Sequence, residues 1–166
     1  QPPNKVIDEI PTRLGDEWIP ADIIKDFARS IVPDNDLDVA ISSVQAGGES
    51  AMVHWTVRAR GYINENSPAY VTWGAEHHNL YELMEDCLNL KRSSVYDWVP
   101  DEHGDGGKEV FNLEKSLVAR QKQKEIQEAF RSYIMGNNEV GVTLANIFNT
   151  EKNNYVIRQY ETPKID

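Results

Sequence analysis

Apolar positions fall into blocks of two kinds along this chain, some at helical spacing and some in alternation. Ile23, Ile24, Phe27 and Ile31 recur at helical spacing. Trp18-Ile19-Pro20-Ala21-Asp22 ahead of them reads as a helix start. Proline is tolerated in a first turn, where its missing N–H would be unpaired anyway, and Asp22 complements the positive end of the helix dipole. Pro33 and the Asp34-Asn35-Asp36 cluster end the helix. The next two blocks predict a hairpin. Leu37, Val39, Ile41 and Val44 punctuate the first run; Val53, Trp55, Val57 and Ala59 alternate along the second, with Met52, His54, Thr56, Arg58 and Arg60 on the opposite face. Gly47 and Gly48 between them supply turn geometry. Residues 69–73 read as a third strand.

The clearest helix follows. Leu80, Leu83, Met84, Cys87 and Leu88 sit at i, i+3, i+4, i+7 and i+8, and Asn79 is placed to cap it. A second hairpin is expected from Val95 to Phe111, turning through Asp101-Glu102-His103-Gly104-Asp105-Gly106-Gly107. Asn112 then caps a long helix reaching Met135, which Gly136-Asn137-Asn138 breaks. A last helix spans about Glu139 to Thr150, with Val140, Leu144, Ile147 and Phe148 as its apolar positions. The order is not a βαβ alternation. It predicts an α+β fold: two small antiparallel β-hairpin units packed with three to four helices.

Composition narrows the class. The chain has 166 residues, 40% of them apolar and 27% charged, which suits one globular domain. Residues 13–152 are assigned to that domain, 1–12 to an N-terminal linker and 153–166 to a C-terminal linker, so the chain reads as an internal piece of a longer protein. No apolar run is long enough to span a bilayer, the single cysteine allows no internal disulfide, and a cytoplasmic, non-membrane setting is expected.

Seventeen Lys and Arg against 27 Asp and Glu give a net charge of −10. That disfavours a strongly basic nucleic-acid binder. One segment is an exception. Residues 113–132 carry Lys115, Arg120, Lys122, Lys124 and Arg131 against Glu114, Glu125 and Glu128. These five cations are the candidate DNA contacts, a helix stripe able to meet a phosphate backbone. The competing reading is a solvated face laced with pairs such as Lys124 with Glu128.

Other chemistry is weaker. Cys87 lies within an apolar helix stripe, where a thiol is held neutral. His77 and His78, with Glu82 and Asp86, lack the spacing of a helical zinc site, and the Asp101–Gly107 loop lacks the alternating ligands of a calcium loop. Trp18, Trp55, Trp73 and Trp98 are read as core rather than base-stacking residues. No nucleotide, cofactor or nucleophile signature is present, so neither a cofactor nor a metal is expected.

Several stretches resemble, in order, the large DNA methylase–helicase proteins of phages, plasmids and conjugative elements, including antirestriction-type proteins. They are Arg13-Leu14-Gly15-Asp16-Glu17-Trp18-Ile19-Pro20, Asn79 to Leu90, Val95-Tyr96-Asp97, Lys108-Glu109-Val110, Ala119 to Phe130 and Leu144 to Asn149. The resemblance implies a connecting segment between an adenine-specific methylase region and a Swi/Snf-like superfamily-two helicase region. Catalytic and ATP-binding motifs of that family lie outside the segment. It therefore implies a non-catalytic domain that positions the motor and has the methylase and helicase regions of its own chain as partners; the Arg120, Lys122 and Lys124 stripe adds duplex DNA as a candidate partner. A protein-interaction module and a small hydrolase or metal enzyme are the alternatives.

Overall fold

A computed structural model describes residues 5–33, 38–46 and 52–161. In chain order these form helix α1 (Ala21–Ile31), strands β1 (Asp38–Ala46) and β2 (Met52–Arg60), the one-turn helix α2 (Pro68–Val71), helix α3 (Leu80–Leu88), strands β3 (Tyr96–Pro100) and β4 (Gly107–Phe111), and helices α4 (Leu113–Met135) and α5 (Asn138–Glu161). Each hairpin is its own two-stranded antiparallel sheet. The architecture is α+β, as the residue pattern predicts.

Most local signals act as their chemistry requires. Pro20 sits at the N-cap of α1 in an extended conformation, with Asp22 in the first turn. Asn79 and Glu82 form a reciprocal capping box on α3, and the Asn112 side chain caps α4 by accepting from the Lys115 N–H. Two elements differ from expectation. Residues 68–71 form α2, not a strand, because Pro68 occupies the first helical position and the Ser67 side chain caps the turn. Helix α5 continues past Thr150 to Glu161, a stretch that holds no proline or glycine. Leu37 and the Gly47-Gly48 turn lie outside the described residues.

The core forms where α1, α3 and α4 meet the β1–β2 sheet. Phe27 of α1 meets Phe130 of α4 edge-on, ring centroids 5.1 Å apart, with Tyr133 at 5.7 Å from Phe27. Leu80, Leu83, Met84 and Leu88 bring the apolar stripe of α3 into the same cluster. Register pairs Val39 with Ala59, Ile41 with Val57 and Ser43 with Trp55, which turns the alternating residues of β2 inward. Val44 belongs to the outer face, opposite His54.

Side-chain carboxamides hold backbone in place throughout the fold. Asn89 accepts from the Trp55 N–H at 2.8 Å and donates to the Trp55 carbonyl at 2.9 Å, so α3 covers one edge of β2. Gln127 does the same for Leu14, both bonds 2.9 Å, and Asn149 for Lys5, both also 2.9 Å. Gln123 accepts from the Ser93 N–H and donates to the Lys91 carbonyl, each at 2.9 Å. Residues 5–12, read from sequence as linker, are thus tied down: Ile10 is fully buried and Arg131 donates to its carbonyl.

At its C-terminus α3 closes with two further bonds, Leu90 N–H to the Cys87 carbonyl and Lys91 N–H to the Asp86 carbonyl. This is a Schellman arrangement with Leu90, at φ +59°, where glycine is usual. Its side chain lies over Gly15, itself at φ +112°. A Cβ at Gly15 would lie 2.6 Å from Leu90 Cδ2 and 3.0 Å from the Cys87 carbonyl oxygen. Gly15→Ala is therefore expected to destabilise the fold by about 1–3 kcal/mol, through backbone strain plus this clash. A shift of the urea midpoint at constant slope would measure it; an unchanged midpoint would contradict the packing described here.

Candidate functional site

The five candidate cations of α4 do not form one open stripe. Lys115 donates to Asp97 Oδ1 at 2.7 Å and lies 3.0 Å from Glu76 Oε1. The Lys115 ammonium and then the Asn112 amide hold the Asp97 carboxyl below the usual carboxylate range, while Asp97 and then Glu76 hold Lys115 above the ordinary lysine range. Arg120 donates to the Ser93 carbonyl at 3.0 Å and to Ser94 Oγ at 3.2 Å, and lies over the Phe111 ring at 6.0 Å. Lys122 donates to the Thr72 carbonyl at 3.0 Å and sits 3.7 Å from Glu125. Arg131 spans the N-terminal segment, donating to Ile10, Thr12 and Asp8. Only Lys124 of the five has no hydrogen bond or ion pair among the described residues; the i,i+4 pair with Glu128 expected for it is not formed.

The stripe has a different use. Ser116, Arg120, Gln123, Gln127 and Arg131 lie along one side of α4 and bind the backbone of residues 93–95 and 7–14. Buried polar groups need partners, and Ser116, Gln123 and Ser93 are all buried here. Two loops remote in sequence are thereby laid against one helix.

Between those loops lies a pocket of about 220 Å³. Arg13 comes from the loop before α1, Lys91 and Arg92 from the chain leaving α3, and Lys124 from α4; Cys87, Leu90, Gln123 and Gln127 complete the wall. All four cations are exposed. Among the described residues none of the four has an ion-pair partner, and the nearby Asp86 carboxylate accepts from the Ser93 hydroxyl at 2.7 Å. Sequence patterning finds Lys124 and misses the others. The dibasic Lys91-Arg92 step after α3 is a visible signal, but only the fold brings Arg13 to it.

The remaining candidates are dispersed. Burial pushes the Cys87 thiol up to about 12, with the neighbouring Asp86 charge adding to the effect, so it is an unreactive core residue. His78 Nε2 donates to the Ser94 carbonyl at 2.8 Å, and its Nδ1 faces Glu82 Oε2 at 3.5 Å without a hydrogen bond. His54 lies on the outer face of β2, and His103 at the exposed tip of the β3–β4 turn, where the Asp101 N–H closes on the Gly106 carbonyl at 2.9 Å. Among the described residues no group of His, Cys, Asp or Glu is arranged to hold a metal ion.

Trp55 is buried, Trp73 packs against the core, and Trp18 meets Phe148 edge-on at 5.4 Å. Trp98 is the exception, 62% exposed on β3. Tyr96 and Phe111 on its face of the β3–β4 ribbon, Val99 and Val110 on the other face, and Leu113 and Leu117 of α4 are also exposed, so the ribbon and the start of α4 present apolar side chains to solvent. No helix among the described residues is long and apolar enough to cross a membrane.

The structure defines an α+β domain in which three of the five candidate cations, Arg120, Lys122 and Arg131, bind the domain's own backbone. The chain belongs to a family described as a domain of unknown function (DUF8437), which matches residues 13–154. No curated protein and no solved structure matches it.

Proposed function

We propose that the chain is a non-catalytic internal module of a DNA methylase–helicase type of protein, which positions the motor by docking on the helicase region. The parentage rests on the co-linear resemblance from about Arg13 to Asn154. Docking rests on one observation: seven apolar residues of the β3–β4 ribbon and the adjoining turn of α4 are 40–62% exposed. Tyr96, Trp98 and Phe111 share one face of the ribbon, and exposed aromatic surface of this kind is typical of protein contacts. Trp98 and Tyr96 share one face of the ribbon, opposite Glu109 and Phe111, as aromatic anchors in a polar setting do.

Grip on duplex DNA along α4 is the weaker reading, because Lys115, Arg120, Lys122 and Arg131 are already engaged within the chain. Titration of the chain with the helicase region of the parent tests the docking. Trp98→Ala is expected to weaken it by about 2 kcal/mol or more, the scale of a buried aromatic anchor. Equal affinity for both forms removes the ribbon from the contact, and binding of neither form removes the docking itself.

A further inference from the structure

The basic pocket is unexplained by docking through the ribbon, with which it shares only α4 and no residue. We infer that Arg13, Lys91, Arg92 and Lys124 form a binding site for a phosphate-bearing anion.

Three features carry the inference. The first is convergence against the charge balance. In a chain with 27 acidic and 17 basic residues, four cations share one small pocket, and its lining residues include no carboxylate. Elsewhere on the same surface lysines do find acids, as Lys115 finds Asp97 and Glu76, and Lys122 finds Glu125. Like charges held together cost free energy unless an anion neutralises them.

The second is rigidity. Neither loop is held by the side chains of the four cations, and Asp16 Oδ2 fixes the Arg13 backbone by accepting from its N–H at 2.9 Å. Gln127 binds Leu14 next to Arg13, Gln123 binds the backbone on both sides of Arg92, and the Schellman closure of α3 fixes Lys91. The guanidinium and ammonium groups are therefore free to bind while their backbone stays put, which lowers the entropy lost on binding.

The third is size and chemistry. At about 220 Å³ the pocket is below the roughly 300–1,000 Å³ of sites for drug-sized ligands. It suits one or two phosphoryl groups better than a whole nucleotide. Two guanidinium groups supply planar paired donors for phosphate oxygens, and two ammonium groups add point charge. Such phosphoryl groups have two sources, a small phosphate ester or the backbone of a nucleic acid.

Inorganic pyrophosphate, titrated at low salt and followed by backbone amide shifts, tests the site. Shifts are expected at Arg13, Leu14, Lys91 to Ser93 and Lys124. The exposed double variant Arg92→Ala/Lys124→Ala is expected to weaken binding by about tenfold or more, the scale of a lost charge-assisted hydrogen bond. The variant Lys25→Ala, on α1 outside the pocket, should leave it unchanged. A short duplex that displaces pyrophosphate identifies backbone phosphate as the source; a duplex that does not, with pyrophosphate still bound, identifies a small ester. Absence of shifts at these residues with either probe overturns the site, as does a double variant that binds as well as the parent. Far-ultraviolet circular dichroism of the double variant checks that the fold is intact.

Discussion

Phe130→Ala is expected to lower the unfolding free energy by about 3–5 kcal/mol, the range for removing a large aromatic from a packed core. Phe130 is fully buried and meets Phe27 edge-on at 5.1 Å. With Tyr133 it brings α4 against Phe27 of α1, so truncation empties space between the two helices. Part of the cost is the lost transfer of the ring from water, part the cavity, and a smaller part the edge-to-face contact, about 0.5–1.5 kcal/mol by itself. Urea unfolding reads the loss directly. A change below about 1 kcal/mol would mean that the interface relaxes around the void or is not part of the cooperative core.

Gln123→Leu is expected to cost about 2–4 kcal/mol, although the new side chain is apolar and similar in length. Its amide satisfies the Ser93 N–H and the Lys91 carbonyl at once, and Ser93 is buried. Leucine leaves both groups without their partner. Gln123→Glu separates the two bonds, because a carboxylate still accepts from Ser93 but repels the Lys91 carbonyl. It should fall between wild type and Gln123→Leu. Lys124→Ala, next door and exposed, should change stability by no more than about 0.5 kcal/mol. Equal effects at Gln123 and Lys124 would mean that the loop is not held by this amide.

These two predictions mark what the residue pattern discloses. The stripe of α3 is visible in sequence because helical periodicity directly encodes which face is buried, whereas for α4 the pattern marks the extent of the helix and does not single out Phe130. Capping by Asn79 and Asn112 is visible because the partners lie three residues away. The short helix α2 was hidden because five residues cannot distinguish a strand from one helical turn, and the Ser67-Pro68 start outweighs the β-branched composition. The role of Gln123 was hidden for a different reason: a glutamine among lysines on a charged helix looks solvated, and its partners are backbone groups about thirty residues away. The same limit governed the cations. Charge alone placed Arg120 and Arg131 on a DNA-facing stripe, whereas they bind carbonyls of their own chain. Arg13 entered the basic pocket only through folding.

The amide clamps have a chemical consequence of their own. Hydrolysis of a carboxamide replaces its donor nitrogen with a negatively charged oxygen, leaving a group that only accepts. At Asn89 that oxygen would face the Trp55 carbonyl, now 2.9 Å from the amide nitrogen, and attraction would become repulsion. The same reversal applies at Asn149 against Lys5 and at Gln127 against Leu14. Deamidation, a slow event that elsewhere adds only a surface charge, would here turn one bond in each seam, β2 with α3 and the N-terminal segment with α4 and α5, from attraction into repulsion.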